Sequence, residues 1–168
     1  MKTLISVAAV LITVCFGASC GQPGPEPLTG PDPEDLLREI EKAPTIKIAP
    51  QEVAEAFALW SDATDLQREL IEEDLIGSVV EWEIRVYDVS LSEGIYRILS
   101  RPIEIRSEEA VPLLRVIALV HAQNEMDREL LRMIKTDDVV LIRGMVRDVL
   151  LRVVIVIDPA VPLGRQAS

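Results

Sequence analysis

One histidine, two cysteines and two each of Phe, Trp and Tyr are all that 168 residues offer to chemistry that depends on those side chains. Both cysteines, Cys15 and Cys20, lie in the first 20 residues. The rest of the chain therefore holds no internal disulfide and no cysteine-based zinc site. His121 stands alone at the end of an apolar stretch, which suits a strand-end hydrogen-bonding group better than a ligand. There is no Gly-rich phosphate loop, no nucleophile elbow and no His-containing metal motif. The carboxylate pairs Glu72-Glu73 and Asp137-Asp138 fall where a helix surface and a turn are expected, and solvation accounts for them. We expect no enzyme, no metal and no cofactor.

Positive charge is also scarce. Lys and Arg number 17 against 28 Asp and Glu, for a net charge of −11. The imbalance is local: residues 20–77 hold 4 basic and 14 acidic groups, and residues 78–158 hold 11 and 14. Binding of single-stranded nucleic acid needs a basic groove with stacking aromatics. Neither is evident, so that function stands as the alternative rather than the expectation.

A long apolar run is missing too. Leu4 to Phe16 is uncharged for 13 residues, short of the roughly 20 needed to span a bilayer core. With Lys2 ahead of it and Gly17-Ala18-Ser19 behind, it fits a secretory signal peptide over residues 1–19. Small residues directly before Cys20 resemble the lipobox of bacterial lipoproteins, although Gly17 stands where that motif usually has an aliphatic residue. The resemblance implies lipidation at Cys20 and a membrane anchor. By resemblance to the lipoproteins of diderm bacteria, Gly21 rather than aspartate after the cysteine favours the periplasmic face of the outer membrane. Plain secretion after cleavage at Ser19 and an uncleaved anchor are the alternatives.

Residues 20–49 read as an acidic, Pro-rich tether, since seven of the 11 prolines fall between Gly21 and Pro50. Within it "DPEDLLREIEKA" has helix-start residues and places Leu36, Leu37 and Ile40 on one face, as a helix docking on the domain or a segment for a partner. Residues 50–163 are expected to fold by themselves, without metal or oxidant, and 164–168 to form a tail. Val53, Phe57 and Trp60 recur at helical spacing and predict core positions, and Thr64 with Gln67 predicts a capping box.

After Gly77 the period changes to two: Val80, Trp82, Ile84 and Val86 alternate with Glu81, Glu83, Arg85 and Tyr87. "IYRILSR" and "VPLLRVIALVHA" read as two more strands. "NEMDRELLRMIK" reads as a helix with Met126, Leu130, Met133 and Ile134 on its apolar side. "DDVVLIRGMVRDV" and "LRVVIVIDP" complete five strands, with Asp158-Pro159 closing the last. A helix between strands three and four is the mark of the OB-fold, a five-stranded Greek-key barrel. An α+β sandwich with another strand order is the other architecture these elements allow.

The stretches "LIGSVVEWEIRVYDVS" and "LLRMIKTDDVVLIRGMVRDV" resemble the bacterial OB-fold family called tRNA-anticodon-binding-like, over about residues 50–160. Asp138 and Gly144 match that pattern, while Asp137 stands where the family usually has glycine. The resemblance implies a mainly β barrel with an N-terminal helix, often behind a lipoprotein signal. A binding face on such a barrel lies outside strands two and three. By alternation Arg85 and Tyr87 face outward on strand one, and Arg97 and Arg115 on strands two and three. The expected function is a cell-envelope lipoprotein whose barrel binds a protein or glycan, with a purely structural assembly role as a further alternative.

Overall fold

The structure, a computed structural model, describes residues 33–105, 111 and 113–166. The signal segment, Cys20 and the first part of the tether lie outside the described residues. Helices α1 (Pro33–Lys42), α2 (Pro50–Phe57) and α3 (Asp65–Leu75) precede strands β1 (Val79–Ser92), β2 (Ile95–Ser100) and β3 (Arg115–Val120). Helix α4 (Glu125–Met133) follows, then β4 (Val139–Leu150) and β5 (Val154–Gln166). The strands close a barrel in the order β1-β2-β3-β5-β4, with β3 parallel to β5 and every other pair antiparallel. That order, with α4 between β3 and β4, is the OB-fold.

The barrel follows from period-two patterning. Val80, Trp82, Ile84 and Val86 of β1 are buried, as are Val116, Ala118 and Val120 of β3 and Ile155 and Ile157 of β5. Gly144 lies where β4 and β5 nearly touch: a Cβ there would run into the Ile157 side chain, the Pro159 carbonyl and the Ala160 backbone. Only glycine permits so close an approach. Pro159, with no N–H to give, falls at the register shift between Gly144 and Val146, where a bulge tolerates it. β5 therefore runs past Asp158-Pro159 to Gln166 rather than closing there, and Arg165 belongs to the sheet and not to a tail.

The folded unit also reaches further upstream than residue 50. Leu37 and Ile40 of α1 are buried. Arg143 on β4 serves the carbonyl end of α1, its Nε donating to Ile40 O at 3.0 Å and its Nη2 to Ala43 O at 2.6 Å. Carbonyls in a last helical turn lack partners within the helix, and a guanidinium supplies them with charge of the right sign. Thr45 then pairs with Val79, and Trp82 Nε1 donates to Ile48 O at 2.9 Å.

Two expectations about apolar faces are corrected. Trp60 is 76% exposed rather than a core residue, because α2 ends at Phe57 and the chain turns out through Ala58 and Leu59 before α3 begins. On α4, Leu131 is buried while Met126 and Met133 face solvent. The helix is turned by part of a revolution from the Met126–Met133 stripe, so that Leu131 and Ile134 meet the barrel core. The Thr64–Gln67 capping box is present, both reciprocal hydrogen bonds included.

Candidate binding face

The outer surface of β1, β2 and β3 gathers guanidinium groups around a single aromatic ring. Tyr87, 44% exposed, sits where β1 bulges between Val86 and Asp88. The guanidinium carbon of Arg101 lies 5.0 Å from the centre of its ring, and that of Arg115 lies 5.5 Å away. These are cation–π distances. Arg85 adjoins them, since its carbonyl accepts from the Arg101 N–H at 2.7 Å. The sheet surface beside this cluster is aliphatic: half-buried Leu99, Ile117 and Val156 stand in one cross-strand row.

Of the four residues singled out by alternation, Arg85, Tyr87 and Arg115 converge on this cluster. Arg97 is exposed on β2 opposite Ser90 and Leu119, nearer the β1–β2 turn. Among the described residues Arg85, Arg97 and Arg115 make no ion pair. Glu81 on β1 is bound by Arg143 at 3.3 Å.

Arg101 is the member that alternation does not reveal. It follows β2 just where the strand leaves the sheet, with Ser100 Oγ accepting the Val116 N–H at 2.8 Å in place of a strand carbonyl. Its side chain is fixed by Asp137, with Nε to Oδ1 at 2.9 Å and Nη2 to Oδ2 at 3.2 Å. Asp137 has φ 72°, the left-handed region that glycine favours and aspartate tolerates. Asp137 thus takes a conformation that glycine favours and adds a carboxylate to the face.

The hydrogen bond from Arg101 holds the Asp137 carboxyl below the usual aspartate range, with the Arg101 and Arg85 charges adding to the effect. Because the folded value is depressed, the interaction is intact at and above the ordinary range and is lost as pH falls through the depressed value. Replacing Arg101 by glutamine is expected to return the Asp137 titration toward the ordinary value, read by carboxyl-detected NMR. An unchanged titration would mean that the pair is not formed in solution.

The β4–β5 turn adds a further cation, Arg152, at this end of the barrel. Leu151 and Arg152 both have positive φ, 50° and 56°, and Val153 N–H closes the turn on Leu150 O at 3.0 Å. Two-residue hairpin turns of this hand normally use Asn-Gly. Nothing in "LLRV" announces one. Arg152 reaches α3, where Nε meets Glu72 at 3.2 Å.

No protein-family model matches the chain, and no curated protein matches it significantly. Solved structures do. A candidate nucleic-acid-binding lipoprotein from Klebsiella pneumoniae subsp. pneumoniae has 15% identity and a TM-score of 0.45, covering 76% of this chain and 97% of that one. A candidate aspartyl-tRNA synthetase from Leishmania major has 14% identity and a TM-score of 0.38 over 58% of this chain, which spans only 20% of the synthetase's length. OBody AM3L15, solved bound to hen egg-white lysozyme, has 15% identity and a TM-score of 0.38, covering 73% of this chain and 94% of that one. The fold rests on the strand order of the barrel itself.

Proposed function

We propose that this is an exported protein, held in the cell envelope by lipid on Cys20, whose OB barrel is a non-enzymatic binding module for a protein partner bearing acidic and aliphatic residues. The outer membrane's periplasmic face is the site we favour. The observation that supports the binding role is the Tyr87 cluster: Arg101 and Arg115 against the ring, with Arg85 and Arg115 making no ion pair among the described residues. Leu99 and Ile117 beside it suit aliphatic contacts. Charge-assisted hydrogen bonds from a guanidinium suit a carboxylate. A glycan or a nucleic-acid base would instead need an open aromatic face, and Tyr87, the exposed ring here, is already covered in part by two guanidinium groups. The net charge of −11 disfavours nucleic acid further.

Two measurements test the two halves of the proposal. Mass spectrometry of the protein recovered from membranes is expected to show diacylglyceryl-modified Cys20 at its N-terminus. Residues 1–19 still attached, or an unmodified Cys20, would remove the anchor. For the face, an amphipathic Glu/Leu peptide is expected to bind in a salt-sensitive way. Arg85→Ala with Arg115→Ala should weaken it about tenfold or more. A labelled single-stranded oligonucleotide is expected not to bind at physiological salt. Oligonucleotide binding that depends on the same arginines would reassign the face.

A further inference from the structure

The segment from Ala58 to Ile76 exposes more apolar surface than its own folding requires. Trp60 combines high exposure with φ 61°, a left-handed conformation that is strained for a bulky side chain and persists only where neighbours impose it. Arg68 imposes it. Its Nε donates to Ala56 O at 3.0 Å, its Nη2 to Ser61 Oγ at 2.9 Å, and its Nη1 meets Asp65 at 3.1 Å. Ser61 Oγ donates in turn to Ala56 O at 2.9 Å. The turn is braced with its indole outward. Helix α3 follows with Leu66 and Leu70 one turn apart, 64% and 51% exposed, among the exposed carboxylates of Asp62, Glu69, Glu73 and Asp74.

Within the chain nothing described covers this side of α3. Arg152 holds the helix by Asp65 and Glu72. At 3.6 residues per turn, Leu66 and Leu70 lie roughly 100–140° round the helix from that line. An acidic surface with projecting Leu and Trp is the chemical complement of the arginine–aliphatic face on β1–β3. The two also meet at one end of the barrel. Arg152 reaches α3, and the neighbouring Val153 carbonyl accepts the Arg115 N–H at 2.9 Å.

We propose that the partner of the arginine face is a second copy of this chain, a reading that rests on the binding role given above. Two copies related by a two-fold axis set α3 of each against Arg85, Arg101 and Arg115 of the other, making both contacts at once in a closed dimer. Charge complementarity selects this occupant. The acidic excess of residues 20–77 and the arginines of the barrel face belong to one chain and are separated along its sequence. The net negative charge of each copy does not prevent it, because screening beyond about 8 Å at physiological salt leaves the local pattern to decide.

The test uses the full chain carrying Cys20→Ser, so that lipid does not itself cause association, with light scattering and sedimentation velocity over a range of concentrations. A dimer of twice the chain mass is expected. Glu69→Lys with Glu73→Lys, or Arg85→Glu with Arg115→Glu, should each weaken it about tenfold or more by placing like charges in contact. Mixing these two variants should restore dimers, now mixed, because every contact is again between opposite charges. Leu66→Ala with Leu70→Ala, both exposed, should weaken the dimer without lowering the melting temperature measured at concentrations where the chain is monomeric. A chain that stays monomeric throughout, or variants that do not recombine on mixing, overturns the dimer. If the Glu/Leu peptide still binds through Arg85 and Arg115 in that event, the face keeps its role. If it does not, both proposals fall together.

Discussion

Asp138→Ala is expected to cost about 3–5 kcal/mol of folding stability, the range for removing one partner of a buried ion pair. Asp138 is 2% exposed, and its Oδ2 forms an ion pair with Arg165, 2.8 Å from its Nε, and accepts the Lys135 backbone N–H at 2.7 Å. One carboxylate therefore closes the α4–β4 turn and ties the end of β5 to the start of β4. Alanine would leave the guanidinium of Arg165, 19% exposed at its side chain, in a poorly hydrated site without its anion. The melting temperature should fall by about 10 °C or more. Asp138→Asn keeps an acceptor for Lys135 N–H and should lose less, about 1.5–3 kcal/mol. Thermal unfolding followed by circular dichroism separates the two. Equal losses would mean that the turn hydrogen bond kept by asparagine contributes nothing and the charge of Asp138 is what counts.

Much of the barrel was legible because its determinants are local and periodic. Val80, Trp82, Ile84 and Val86 alternate with charged or exposed neighbours, and the same residues line the core. The capping box needed only Thr64 and Gln67 at the right spacing. Trp60 was misplaced because spacing alone cannot tell where a helix stops. Val53, Phe57 and Trp60 would share a face if α2 continued, and it ends at Phe57. Met126 and Met133 were misplaced because α4 offers two overlapping apolar stripes, and contact with the barrel selects the one that holds Leu131.

The candidate site was legible in part for a similar reason. Alternation puts Arg85, Tyr87 and Arg115 on the outside of the sheet, which is a local property. Their convergence is not local, and neither is the separation of Arg97 from them. Arg101 lies beyond the end of β2, where alternation no longer applies, and its position depends on Asp137, 36 residues further on. The hairpin at Leu151-Arg152 lacks glycine or asparagine, so residue preference hides it. Pro159 read as a strand terminator because a bulge in the partner register cannot be foreseen from one strand.

The ends of the folded unit carry the largest expected effect. A chain cut to residues 50–163 is expected to melt far below one that spans 33–166, or not to fold cooperatively at all. The upstream cut removes Leu37 and Ile40, and burying such side chains contributes about 1.5–3 kcal/mol each. It also removes the carbonyls of Ile40, Ala43 and Ile48, stranding Nε and Nη2 of Arg143 and the indole N–H of Trp82 in part-buried sites. Each stranded donor costs about 1–3 kcal/mol, more where it is charged. The downstream cut deletes Arg165 and with it the partner of buried Asp138. Together these losses rival the about 5–15 kcal/mol that holds a typical domain folded. Restoring 33–49 alone should recover the Trp82 and Arg143 contacts but not the Asp138 pair, and restoring 164–166 alone the reverse. Urea unfolding of the four chains reads the order directly. Equal midpoints for 50–163 and 33–166 would show that α1 and the end of β5 contribute nothing to the barrel they touch.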